Sequence, residues 1–156
     1  MNNIKLYIDF DGVIVNTMEM IENELKNKKL PRTDQYFIDI DWIKLLDNCQ
    51  IINEAFNTIK KLMKIYDVAI LTHINTLDEG IAKTNFIRKK IEDLNIILVP
   101  KSIAKSKIVN PKNAILVDDF GENIEDWIKN GGIGIKFNNK KHLVINDLTE
   151  IILKYV

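Results

Sequence analysis

Short apolar runs alternate along the chain with longer segments whose apolar residues recur every three or four positions. The runs have the length of β-strands and cover residues 4–8, 68–71, 96–99, 114–117 and 133–137. The spacing between them predicts amphipathic helices at 17–28, 52–63 and 77–94, one ending near residue 130 before Gly131 and Gly132, and one at 148–155. This alternation predicts βαβ units, and therefore a doubly wound α/β fold with a parallel sheet of about five strands.

Residues 29–50 break the alternation. This segment is irregular in pattern and carries Pro31 and the aromatic residues Tyr36, Phe37 and Trp42. We expect a small, reduced helical cap inserted at about 15–50 into a single domain that spans residues 1–156. The three aromatic rings could stack on a substrate ring or form the insertion's own small core, and we favour the core.

The charge balance narrows the choice of partner. Among 156 residues, Lys and Arg number 22 and Asp and Glu number 22, so the formal net charge is zero. Proteins that bind nucleic-acid polymers usually show a basic excess, so a small ligand is the better expectation. Cys49 has no second cysteine to pair with, and we see neither a signal peptide nor a membrane span. We therefore expect a cytoplasmic protein with no membrane partner, and the oligomeric state stays open.

Polar residues with chemical potential follow three of the predicted strands. Asp9, Asp11 and Gly12 follow the first, Thr72 the second, and Asp118 with Asp119 the fourth. Ligands of open parallel sheets bind beyond the carboxyl ends of the strands, so these side chains can converge. Four carboxylates repel one another unless protons or a cation neutralise them. An all-oxygen site without a His or Cys cluster suits Mg²⁺.

Each of these residues can be given a role in phosphoryl transfer. Asp9 could attack phosphorus, and Asp11 could protonate the leaving oxygen and later activate water. Gly12 would permit a sharp turn, and Thr72 could bind phosphate oxygens at a helix N-terminus. A lysine between Thr72 and Asp118 would add positive charge against the phosphoryl group.

Taken together, Asp9-Phe-Asp11-Gly12, the strand ending in Thr72, a lysine and Asp118-Asp119 resemble the four motifs of the haloacid dehalogenase-like superfamily. Within it the chain looks most like the small-capped 5'(3')-deoxyribonucleotidase group. The resemblance implies a nucleophile at Asp9, an acid/base at Asp11, and Mg²⁺ held by Asp9, the Asp11 carbonyl and Asp118.

The resemblance also implies that Asp119 supports the metal site and that a lysine binds the phosphate. Lys101, Lys105 and Lys107 all lie in the expected window; we choose Lys107, with Lys105 second. His73 stands where the nucleotidases carry Ser, and we expect it to bind phosphate beside Thr72.

The expected function is Mg²⁺-dependent hydrolysis of a phosphate monoester, a nucleoside monophosphate, through an aspartyl-phosphate. The alternatives are a phosphatase of small sugar phosphates or phosphoproteins, and a catalytically idle relative that senses phosphate or binds a partner. An EF-hand is excluded because Val13, Ile14 and Val15 follow the first motif. A response-regulator receiver is excluded because too few residues follow Asp119.

Overall fold

The computed structural model describes residues 4–138, and the five predicted strands are present within them. They are β1 (Lys5–Ile8), β2 (Asp67–Ile74), β3 (Asn95–Pro100), β4 (Ala114–Asp118) and β5 (Ile133–Lys136). The helix predicted at 148–155 lies outside the described residues. Within residues 4–138, every helix is too short or too polar to cross a lipid bilayer.

The strands form one parallel sheet in the order β3-β2-β1-β4-β5. Alternate residues of each strand point to opposite faces, so Leu6 and Ile8 of β1 belong to one buried cluster and Tyr7 to another. Both faces are therefore covered, which explains why the strands are apolar throughout. This arrangement confirms the doubly wound α/β fold. The chain reverses direction across the sheet between β1 and β4.

The helices that connect these strands occupy both faces of the sheet. They are α1 (Thr17–Asn27), α2 (Asp34–Asp39), α3 (Trp42–Asp47), α4 (Ala55–Leu62), α5 (Leu77–Lys90), α6 (Lys105–Ile108) and α7 (Gly121–Lys129). The first three lie between β1 and α4, in the segment that the sequence marks as an insertion.

Most of residues 29–50 is helical rather than irregular. The side chain of Thr33 accepts a hydrogen bond from Tyr36 N at 3.2 Å and caps α2, and Asp41 caps α3 through Lys44 N at 3.1 Å. Both helices have six residues, so neither shows a long apolar stripe. These capping residues are a sequence signal for helices that the spacing of apolar residues does not show.

The aromatic residues of this segment do not form a small core of their own, so that expectation is wrong. Tyr36 and Phe37 contact each other edge to face, with ring centroids 5.4 Å apart, and both pack against the larger buried cluster of the sheet. Trp42 is part of that same cluster and is only 5% exposed. Two one-and-a-half-turn helices bury too little surface to make an independent core.

Helix α5 presents a different face to the interior than predicted. Leu77 and Ile81, two members of the predicted stripe, are 80% and 58% exposed, whereas Glu79, Lys83 and Ile87 are buried. The helix also ends at Lys90, before Ile91 and Leu94, the last two apolar residues of the helix predicted at 77–94. A buried Glu and Lys on one helix face require partners, and the strand ends supply them.

Strand β2 is longer than predicted, which moves two candidate residues. Its pairing with β3 continues from Thr72 opposite Leu98 to Ile74 opposite Pro100. Thr72 and His73 therefore lie within the strand, and the expected place of Thr72 at a helix N-terminus is wrong. Helix α5 begins five residues later at Leu77, and Thr76 caps it.

Candidate active site

Three of the four carboxylates that the sequence predicts to converge meet at the carboxyl ends of β1 and β4. Asp9 follows β1, Asp118 is the last residue of β4, and Asp119 follows it. One oxygen from each lies within 4.8 Å of the others. Asp118 is fully buried and Asp9 is 8% exposed, so the group lies at the bottom of a recess. This is the point where the strand order reverses, which is the usual ligand site of such sheets.

The lysine of this group is Lys105, and the choice of Lys107 is wrong. The Lys105 ammonium lies 2.9 Å from Asp9 Oδ1 and 2.7 Å from Asp118 Oδ2, and the residue is only 2% exposed. Lys107 is exposed. Because α6 starts at Lys105, a residue two positions later points about 200° around the helix. The direction in which each residue points from this short helix therefore decides which of the two lysines reaches the carboxylates.

Asp118 is fixed by two further donors. The backbone N–H of Phe120 donates to its Oδ1 at 2.9 Å, and the Asn123 amide donates to its Oδ2 at 3.0 Å. Oδ2 also accepts from Lys105, so both oxygens are bonded. Asn123 was not among the site residues expected from the sequence. Its position in the first turn of the helix after Asp118-Asp119 could have indicated that it lies near them.

The electrostatics of this group favour a bound cation. Among the described residues, the ammonium of Lys105 pairs with Asp9 and Asp118, and the Asp119 carboxylate lies close to both of them. Burial, and then the charge of Asp118, raise the pKa of Asp9 well above its usual value. The same two causes raise the pKa of Asp119 to about 6. A hard divalent cation would relieve this repulsion, and the ligand atoms available are oxygens, which Mg²⁺ prefers.

Gly12 makes room for this group of carboxylates. Its φ of +77° is in the left-handed region, which supports the sharp turn predicted for it. A Cβ at this position would lie 2.0 Å from Asp119 Oδ2, so no larger residue fits without moving that carboxylate. The glycine is therefore required both by the turn and by the position of Asp119.

The Asp11 carboxylate has different partners. Thr17, at the start of α1, donates to its Oδ1 at 2.6 Å, and the Lys83 ammonium lies 2.6 Å from its Oδ2. The Asp11 side chain is 15% exposed. Two carboxylates that are neighbours in sequence, Asp9 and Asp11, thus have separate sets of donors.

Lys83 is the main site residue that the sequence did not reveal. It is fully buried, and its ammonium also contacts Glu79 Oε2 at 2.6 Å. Burial alone would lower the pKa of Lys83, but the charges of Asp11 and Glu79 outweigh it and raise the pKa above its usual value. A helical lysine in a chain with many lysines looks like a surface residue, and only the fold brings it to Asp11.

Thr72 and His73 lie beside this second group. Thr72 is fully buried. Its hydroxyl accepts a hydrogen bond from the Lys83 ammonium at 3.3 Å and donates one to the His73 carbonyl at 3.4 Å. His73 lines the adjoining cleft, and its Nε2 lies 2.8 Å from the Ile103 carbonyl, to which it donates. Burial lowers the pKa of His73, which favours the neutral ring.

A cleft of about 540 Å³ opens above Asp9, Asp11 and Asp119. Helices α1 and α3 contribute Ile21 and Trp42 to its wall. Its other apolar and basic lining residues are Met18, Phe37, Phe120, Arg32 and Lys101. The carboxylates therefore face a volume large enough for a small organic molecule, with both apolar and cationic groups at its sides.

Comparison with solved structures finds the same fold in known hydrolases. A haloacid dehalogenase-like family hydrolase from Streptococcus pneumoniae superposes with a TM-score of 0.59 at 14% identity, over 88% of this chain and 85% of that one. A HAD-superfamily hydrolase of subfamily IA from Geobacter sulfurreducens gives a TM-score of 0.53 at 14% identity, over 86% of each chain. Comparisons of the sequence with family models and with curated proteins find no match. The chain has the haloacid dehalogenase-like α/β fold.

Proposed function

We propose that this protein is a Mg²⁺-dependent phosphatase that transfers the phosphoryl group of a phosphate monoester to Asp9 and then to water. One observation carries the proposal. Buried Asp9, Asp118 and Lys105 form, with half-buried Asp119, a group that has an excess of negative charge, and Asp11 is held separately at its edge. The fold shared with known hydrolases supports the same conclusion.

The side chains of Asp9 and Asp118 and the Asp11 carbonyl would hold Mg²⁺, with Asp119 beside them. When bound, the cation supplies positive charge that neutralises these carboxylates and the phosphate oxygens. Lys105 contributes a second positive charge at Asp9 and Asp118. These charges counter the burial that raises the pKa of Asp9, and so keep its carboxylate ionised for attack.

The chemistry divides between Asp9 and Asp11. An Asp9 oxygen forms a bond to phosphorus while the bond from phosphorus to the leaving oxygen breaks, and Asp11 gives that oxygen a proton. Water then attacks phosphorus, Asp11 takes a proton from it, and the bond from phosphorus to Asp9 breaks. Thr72 and His73 are our proposed phosphate-binding residues on the β2 side.

A nucleoside monophosphate is the proposed substrate. Support comes from the resemblance of the motifs to the deoxyribonucleotidase group, and from the cleft, where Phe37 and Phe120 offer rings and Arg32 offers a cation. The helices α1–α3 would serve as the reduced cap that covers the leaving group. A nucleotide substrate predicts a preference over sugar phosphates of equal charge.

Activity assays test the proposal. With Mg²⁺, the protein should release phosphate from an aryl phosphate and from nucleoside monophosphates, and chelation should abolish both activities. Asp9→Asn should lower the rate of phosphate release to background without unfolding the protein, because the amide has nearly the same shape as the carboxylate but lacks its nucleophilic charge. Asp93→Asn, at an exposed aspartate, is the matched control and should leave the rate unchanged.

The outcomes separate enzyme from sensor and one substrate class from another. Substantial turnover by Asp9→Asn, or full activity in excess chelator, contradicts the mechanism. Phosphate binding without turnover in the wild type would favour the idle relative. A higher kcat/KM for sugar phosphates than for nucleotides would overturn the substrate assignment alone.

A further inference from the structure

Lys83 connects elements that are far apart in sequence. It lies on α5, and its ammonium contacts the carboxylate of Asp11, 72 residues away, at 2.6 Å. On its other sides are the Thr72 hydroxyl at 3.3 Å and the His73 carbonyl at 3.0 Å. One buried cation thus contacts both the loop that follows β1 and the last residues of β2.

The ion pair with Glu79 does not explain why Lys83 also reaches Asp11. Glu79, one helical turn before it, already offers a carboxylate at 2.6 Å, and Asn75 donates to the other Glu79 oxygen at 2.9 Å and 3.0 Å. A buried ion pair contributes little net stability relative to apolar residues of similar size. A lysine that served α5 alone would not need to reach the strand ends.

The surroundings of Lys83 also limit where it can move. The ammonium lies 4.5 Å from the ring centroid of Trp42, on α3, and 5.7 Å from that of Phe10. These rings cover it, and its residue exposure is 0%. The enclosed ammonium is held against Asp11 Oδ2 and Glu79 Oε2, each at 2.6 Å.

We propose that Lys83 is a positioning residue that, with Thr17, holds the Asp11 carboxylate on the leaving-group side of the site, away from the Asp9–Asp118–Asp119 group. This rests on the proposed function, in which Asp11 is the acid/base. Without Lys83, one Asp11 oxygen loses its donor, and the carboxylate is free to turn towards the metal-binding carboxylates. Lys83 touches neither phosphorus nor the leaving oxygen and acts through Asp11.

The test is the dependence of the rate on the leaving group. Lys83→Met keeps an unbranched side chain, one atom shorter than that of lysine, and removes the charge. It should lower kcat/KM for a nucleoside monophosphate about 100-fold and for an aryl phosphate less than about tenfold, because the aryl leaving group needs little proton transfer. In an Asp11→Asn background the same change should add almost nothing, since both variants remove the same proton transfer.

Two further variants separate positioning from stability. Lys83→Met combined with Glu79→Gln removes both charges of the buried Lys83–Glu79 pair, so no unpaired Glu79 charge is left to destabilise the fold, and it should show the same selective loss. Lys89→Met, at an exposed lysine of the same helix, should change neither substrate. Thermal unfolding of each variant measures the purely structural effect.

Equal losses on both substrates, or full additivity with Asp11→Asn, would overturn the proposal. Failure of the proposed function is distinguishable, because it would show as an inactive wild type or an active Asp9→Asn. In that event a crystal structure of Lys83→Met decides: the Asp11 carboxylate should leave its place beside Thr17, and an unmoved carboxylate would overturn the positioning role.

Discussion

Two groups of charged residues lie side by side in this protein, and they balance charge differently. In the first, Asp9 and Asp118 share the ammonium of Lys105, and Asp119 lies close to both carboxylates. In the second, Asp11 shares Lys83 with Glu79 and receives a hydroxyl hydrogen bond from Thr17. The first group leaves negative charge uncompensated beside a cleft, whereas the second has a donor on each Asp11 oxygen.

This difference indicates how neighbouring aspartates can take different tasks. Asp9 belongs to a group that a cation would complete, which suits a nucleophile that must be ionised. Asp11 is held by protein donors, which suits a group that must keep a fixed direction while it exchanges a proton. Only one residue separates them in sequence and both are aspartates, so their environments would decide the different roles that we propose for them.

The largest expected effect comes from removing the cation of the first group. Lys105→Met leaves buried Asp9 and Asp118 without the cation that balances their charge, and should lower the free energy of unfolding of the metal-free protein by about 3–5 kcal/mol. The loss should shrink at low pH, where the carboxylates take up protons. Chemical denaturation of Lys105→Met and of Lys107→Met, at the exposed lysine, makes the comparison. Equal stability of the two variants would contradict the assignment of Lys105.

Asp11→Asn tests the role of the second group. It should lower kcat/KM for a nucleoside monophosphate about 10²- to 10³-fold and for an aryl phosphate far less, because an alkoxide leaves poorly without a proton. Steady-state kinetics on both substrates measures the ratio. The same loss on both would reduce Asp11 to a structural or metal-binding residue.

Gly12→Ala tests how closely the turn between the groups is packed. The positive φ costs an alanine about 1–2 kcal/mol, and its Cβ would collide with Asp119. We expect lower stability and weaker Mg²⁺ binding, measured by thermal unfolding and by calorimetry. Gly121→Ala is the matched control, since its Cβ would meet nothing closer than 3.5 Å and should be tolerated. Tolerance of Gly12→Ala to the same degree would contradict this reading.

The smallest expected effect is a pH dependence of metal binding. The pKa of Asp119, about 6, is above its usual value, so the folded state binds this proton more tightly than the unfolded state does. The metal-free protein should therefore lose stability from this group as pH rises from about 4 to about 6. Mg²⁺ should raise Tm more near pH 7.5 than near pH 5, because protons compete with it at low pH. Asp119→Asn should weaken that dependence; an equal shift at both pH values would argue against proton competition.

The sequence was most informative where an apolar run ends in a reactive residue. Asp9 and Asp118 could be placed together because both follow predicted apolar strands of a parallel sheet, whose carboxyl ends meet at one edge. The sheet and the acidic group follow from local pattern and topology. Thr72 was placed at the right edge but on the wrong element, because the extension of β2 depends on pairing with β3.

The lysines could not be assigned from sequence because their positions depend on helix phase and distant contacts. Lys105 and Lys107 differ by two positions, and only the starting residue of a four-residue helix decides between them. Lys83 is buried by partners on other elements, Asp11 and Trp42. The same holds for Trp42, whose burial in the main core no local pattern predicts.

The most direct test of the proposed aspartyl-phosphate mechanism is to trap the phosphorylated enzyme. The protein is mixed with a phosphate monoester and Mg²⁺, quenched in acid within the first turnover, digested and analysed by mass spectrometry. We expect a phosphoryl group on Asp9 that is absent without Mg²⁺ and absent in Asp9→Asn, with Asp93→Asn behaving as the wild type. A phosphoryl group on another residue, or phosphate release by Asp9→Asn at the wild-type rate, would contradict it.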